Sequence, residues 1–277
     1  MFKPRGFTLL ELLMVISMIA LLLVIFLPGL QRVRSQGKAV VCQANLKQWG
    51  TMLTIYTVDN EGFLPPSYSS LWFLQGSYFS DDDPNKPPVY NDLKTKGIAC
   101  CPMAVRVNKT STNIGVGNIS DKDIVWDFTF SAGSAFEAWE IISPLPAFRG
   151  SYGFNEGVDD FISKDPFHDV NFDISTIAGK SNIPLLLDNT MWSSTFYDFM
   201  QPPSIDNRSV FGWPFCINRH NGYINGLFLD WSVRKIGIKE LWTLKWHREW
   251  NTANEWTRAG GVRPEDWPEW MRNFKDY

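Results

Sequence analysis

The sequence predicts an α+β protein: one long N-terminal helix, its first half membrane-spanning, packs on a small antiparallel sheet, and a Trp-rich helical extension follows. Three observations carry this. Residues 7–27, FTLLELLMVISMIALLLVIFL, are a nearly unbroken apolar run long enough to cross a bilayer as one helix. Short runs bounded by turn residues recur between positions 150 and 237, the mark of strands. Beyond them Trp242, Trp246 and Trp250 repeat at four-residue spacing, which on a helix places them on one face.

The apolar run contains one charge, Glu11, and a carboxylate there costs roughly 2.5–3.5 kcal/mol on insertion scales, so a plain anchor gains nothing from it. Ahead of the run stands Met1-Phe2-Lys3-Pro4-Arg5-Gly6. A secretory signal carries its small-residue cleavage site after the apolar core, whereas here the small residue precedes it. Lys3 and Arg5, then Gly6, then Phe7-Thr8-Leu9-Leu10-Glu11-Leu12-Leu13 resemble the class III signal of type IV prepilins and of type II secretion pseudopilins. The resemblance implies a pilin-like fold. It also implies that a prepilin peptidase cuts between Gly6 and Phe7 and methylates Phe7, and that Glu11 serves assembly by pairing with a mature terminus. Pro28 and Gly29 predict a kink or local unwinding where the helix leaves the membrane.

A second helical pattern continues to about Val58, with Val33, Gly37, Val40, Val41, Ala44, Leu46, Trp49, Leu53 and Tyr56 at three- and four-residue spacing. This predicts a single apolar face laid along a globular domain. Asp59-Asn60-Glu61-Gly62 and Pro65-Pro66 end it. Cys42 to Gln48, Tyr56, the Asn60-to-Pro66 exit, Cys101-Pro102, Ser151 to Asn155 and the His220-x9-Asp230 spacing resemble a planctomycete-type branch of pilin-like proteins. That branch continues with glycine where this chain has Trp231. Tryptophan is poorly suited to positive φ, so a longer or shifted turn is expected there.

Residues 67 to about 147 show few periodic runs and read as insertion and connection, with Asp81 to Pro88 an exposed loop. Strands are expected at 150–155, 183–188, 223–230 and 232–237, a helix at 239–250, and a short helix from Pro264-Glu265-Asp266. The division is a leader at 1–6, a transmembrane helix at 7–27, a pilin-like domain at 28–238 and the Trp-rich extension at 239–277. Buried tryptophans would anchor that extension; outward-facing ones would offer a surface to a protein or a sugar ring.

Net charge is −3, two units more negative once Lys3 and Arg5 leave, which points away from nucleic acid. Arg32, Arg34 and Lys38 follow the span on the presumed outer side, against the positive-inside tendency; the leader signal outranks them. Cys42, Cys100, Cys101 and Cys216 lack paired CxxC clips, so disulfides outrank zinc and no metal ligand is assigned. Three complete pairings exist; adjacent cysteines rarely bond, which disfavours the one containing Cys100–Cys101, and of the two that remain Cys42–Cys101 with Cys100–Cys216 is the one expected. Asp169, Asn171 and Asp173 alternate as calcium ligands would, yet Ile174 stands where an EF-hand needs glycine, so no cofactor is assigned and calcium stays a candidate.

His168, His220 and His247 are scattered, and no catalytic motif or phosphate loop occurs, so no enzyme is expected. A His220–Asp230 pair across a hairpin would be structural. The function expected is a pseudopilin-like subunit, single-pass in a bacterial inner membrane, its globular domain periplasmic or in an extracellular fibre. Its partners would be other pseudopilins and copies of itself, prepilin peptidase, inner-membrane assembly machinery and lipid. The alternative is a membrane-tethered surface protein that binds glycan or protein through its aromatic tail.

Overall fold

The computed structural model describes residues 7–59, 62, 64, 97–107, 114–121, 124–143, 148–161, 174, 177–197, 200–204 and 213–277. One helix, α1 (Leu9–Asp59), joins the apolar run to the second helical pattern. It passes through Pro28 and Gly29 without the unwinding that the sequence suggests. A proline lacks only its own N–H, and the turns on either side keep theirs, so one missing bond does not end a helix this long.

The region read as insertion and connection holds a four-stranded antiparallel sheet. Its strands β1 (Ile114–Asp121), β2 (Ile124–Ser131), β3 (Trp139–Ser143) and β4 (Phe148–Gly150) pair in chain order. β1 and β2 form a hairpin in which Ile114 faces Ser131 and Asp121 faces Ile124. The chain then changes sheets at one residue, Ser151. A five-stranded sheet follows, built from β5 (Tyr152–Asn155), β6 (Pro184–Asp188), β7 (Ser193–Ser194), β8 (Tyr223–Phe228) and β9 (Val233–Gly237). Its order is β7-β5-β6-β8-β9, with β5 and β7 parallel and the other pairs antiparallel. The α+β, pilin-like class therefore holds, with two sheets in place of one.

The five-stranded sheet is covered on both faces. Because neighbouring residues on a strand point to opposite sides, Leu186 and Leu227 join a core with Cys42, Leu46, Trp49 and Leu53 of α1 and with Trp139 and Ile141 of the first sheet. Their neighbours Leu187 and Phe228 join a second core with Trp242, Trp246, Trp250, Trp267 and Met271. A Cβ on Gly50 would lie 2.9 Å from Leu227 Cδ1, which shows how closely the helix lies on β8.

The short helix expected from Pro264 is present as a 3₁₀ turn, while the tail does not form the α-helix expected over 239–250. It makes 3₁₀ turns at Lys239–Thr243, Pro264–Asp266 and Glu269–Met271. Carbonyls that an α-helix would use internally accept side-chain donors instead. Trp246 Nε1 donates to Leu241 O at 2.6 Å, and Trp242 O accepts from Trp250 Nε1 and from Asn254 Nδ2. Burying three indoles, each with an N–H to satisfy, outweighs the helical pattern. Phe196 sits among the rings, 4.7 Å from Trp246, 5.1 Å from Trp213, 5.4 Å from Trp250 and 5.5 Å from Trp242.

Candidate functional site

At the N-terminus the apolar run presents side chains to the outside along its whole length. Phe7 to Leu27 are exposed, and within α1 an apolar window with no buried residue is long enough to cross a membrane. Gly6 lies outside the described residues; Phe7 stands two residues before α1 begins at Leu9. Glu11 has a partner in its own chain. Thr8 N and Oγ1 donate to Glu11 Oε2, both at 2.8 Å, and Glu11 N donates to Thr8 Oγ1 at 3.2 Å. This is a capping box, with Thr8 as N-cap and Glu11 at the third helical position. The signal stands in the sequence as Thr8-Leu9-Leu10-Glu11, whereas the partner expected for Glu11 is the Phe7 ammonium of its own or a neighbouring subunit.

Beyond the span the apolar positions of α1 divide into two faces, not the single one expected. Ala39, Cys42, Leu46, Trp49 and Leu53 are buried on the domain. Leu30, Val33, Val40, Val41 and Ala44 are exposed, Val33 and Val40 each at 62%, and with Gly37 they extend the membrane-facing surface past Pro28.

A second constellation is buried where α1, the loop before β1, β6 and the approach to β8 meet. Cys42 Sγ lies 3.6 and 3.7 Å from the two Asp188 carboxylate oxygens. Cys101 Sγ is 3.4 Å from His220 Nε2, which is 3.2 Å from Asp188 Oδ2. Arg219 closes the group. Its guanidinium donates to Asp188 Oδ1, Ala135 O, Ser151 O, Ser134 O and Asn189 O, so each of its five N–H donors has an acceptor. Asp188 Oδ2 also accepts Asn225 N at 2.8 Å, and Tyr152 Oη donates to the Cys42 carbonyl or sulfur, each at 3.3 Å.

Burial alone would raise the Asp188 pKa, but the Arg219 charge and the His220 hydrogen bond hold it below the ordinary carboxylate range. Burial would lower that of His220; the Asp188 and Cys101 contacts reverse this and lift it to about 9. For Cys101, burial is outweighed by hydrogen bonds from Cys42 and His220 and by the Arg219 charge, bringing the thiol to about 6. Burial and the neighbouring Cys101 push the Cys42 thiol well above its usual range.

Of the candidate cysteines, Cys42 and Cys101 are brought together. Cys100 instead points its Sγ to Arg149 O at 3.8 Å, and Cys216 belongs to the Trp-rich core. Among the described residues there is no disulfide. His220 pairs with Asp188 and not with Asp230, whose carboxylate accepts from Ser232 N and Oγ within its own turn. Sequence reasoning missed Asp188 and Arg219; no spacing links them to Cys42 or Cys101, and the only local cue is the Arg219-His220 dipeptide. Asp169, Asn171 and Asp173 lie outside the described residues.

Residues 1–27 match the family described as the prokaryotic N-terminal methylation motif. No curated protein and no solved structure matches the chain.

Proposed function

From a methylation signal that marks a type IV pilin-like precursor, we propose that the chain is a structural subunit of a pseudopilin-type fibre in a type II secretion-like system. Prepilin peptidase cuts after Gly6 and methylates Phe7. The subunit waits in the inner membrane with its globular domain on the periplasmic side, then joins other pseudopilins through α1. Repetition of one helix-to-helix contact by a non-closing rotation generates a helical filament. Glu11 exchanges its Thr8 partners for the Phe7 ammonium of a neighbouring subunit, which neutralises the carboxylate among apolar helices.

The observation that carries this reading is the exposed stripe Leu30, Val33, Gly37, Val40 and Ala44, which continues the membrane surface of α1 beyond the membrane. A simple anchor has no use for apolar surface outside the bilayer, whereas a fibre covers it. A photo-crosslinker at Ser17 should give a ladder of self-adducts in cells, and the double substitution Val33→Lys, Val40→Lys should abolish it. Because both side chains are exposed, the melting temperature of the variant should stay close to that of the unaltered chain. A single unladdered band from the unaltered chain would instead assign a membrane-tethered surface binding protein. The three tryptophans first considered for binding are buried, which weighs against that alternative.

A further inference from the structure

Cys42, Cys101, Asp188 and His220 come from four separate stretches of chain, yet their ligand atoms all lie within 4.8 Å of one another. A tetrahedral zinc ion bound at about 2.3 Å to sulfur and about 2.0–2.2 Å to nitrogen and oxygen sets its ligand atoms about 3.3–3.8 Å apart. With Asp188 Oδ2 as the oxygen ligand, the observed separations are 3.7 Å from Cys42 Sγ to Oδ2, 3.4 Å from Cys101 Sγ to His220 Nε2, and 3.2 Å from that nitrogen to Oδ2. We propose that these four residues form a closed site for a thiolate-preferring divalent metal ion, zinc(II) foremost, which fastens α1 to the five-stranded sheet.

Charge agrees with the geometry. Two thiolates and one carboxylate carry three negative charges; a divalent ion supplies two positive ones, and the Arg219 guanidinium, 2.8 Å from Asp188 Oδ1, supplies the third. A buried site so composed is neutral, as burial requires. His220 turns Nε2 to the cluster, and its Nδ1, buried without a hydrogen-bond partner, would carry the ring proton of a neutral ligand. Ligation takes any remaining thiol protons and the Nε2 proton to solvent. Four protein ligands leave no open position, which makes the ion structural and not catalytic. Two sulfur ligands with one nitrogen and one oxygen in a tetrahedron favour zinc over calcium or magnesium, which take oxygen alone. The proposal is independent of fibre assembly.

The test uses the full chain, extracted in detergent from cells grown with added zinc. Elemental analysis should find about one zinc per chain. Exchange with cobalt(II) should give the visible bands of a tetrahedral ion and a near-ultraviolet thiolate-to-cobalt transition. Cys101→Ser should lose at least tenfold of the bound metal together with that transition, while Cys100→Ser, next to the site but outside it, should keep both. If Cys101→Ser does not fold, the cobalt spectrum of the unaltered chain and of Cys100→Ser decides alone. Metal-free unaltered protein, a Cys42–Cys101 disulfide in cell-derived material, or metal retained in full by Cys101→Ser would each overturn the proposal.

Discussion

Trp231 adopts φ 65°, in the left-handed region that L-residues avoid at a cost of roughly 1–2 kcal/mol. It is the third of the four residues between β8 and β9, where Trp231 N donates to Phe228 O and Phe228 N donates to Ser232 O, both at 2.9 Å. The longer turn expected from the sequence is there, but it does not spare tryptophan the positive φ. Packing of the indole against the first core and the bond from Lys47 Nζ to Trp231 O hold the strained residue in place. Trp231→Gly should therefore be more stable than Trp231→Ala by about 1 kcal/mol, reversing the usual order of the two inside regular elements. Chemical denaturation of the pair measures it. Glu11 makes a second prediction at this scale. Glu11→Ala removes a carboxylate that costs roughly 2.5–3.5 kcal/mol in lipid, so the variant should insert at least as well as the unaltered chain, yet its ladder of crosslinked self-adducts should shorten.

Elements show where sequence periodicity informs and where it misleads. The strands near 150–155, 184–188 and 223–237 follow from short runs between turn residues, and α1 from its apolar spacing. β2 was equally legible, since Ile124, Trp126, Phe128 and Phe130 alternate with Val125, Asp127, Thr129 and Ser131. The surrounding polar stretches hid it. The tail failed for another reason: a four-residue repeat of tryptophan predicts a helix only if backbone bonds decide, and here indole burial and indole N–H donors decide. Trp246→Ala should cost on the order of 3–5 kcal/mol, a large part of a domain's stability of about 5–15 kcal/mol, and lower the melting temperature markedly. Trp256, only partly buried, should cost less as alanine. Equal melts for the two variants would contradict the packing. The buried cluster was the least legible part, because Cys42, Cys101, Asp188 and His220 share no sequence window and only folding brings them together.

For the whole molecule the extension at 239–277 is half of a sandwich. It covers Leu187, Ile224, Phe228 and Ile236 on the sheet face opposite α1. Removing residues 239–277 should leave protein that aggregates or unfolds without a cooperative transition, not a trimmed and stable core; circular dichroism melts of the truncated chain check this. The same layering orders events in time. The α1 face carrying Leu46, Trp49 and Leu53 leaves the ribosome early, but Leu186, Leu227 and Leu229, which cover it, follow much later. At about 5–20 residues per second, that face waits on the order of ten seconds or more for its lid. Throughout that wait the nascent chain offers an uncovered greasy ridge directly behind its apolar segment, and the ridge stays open until translation delivers β8.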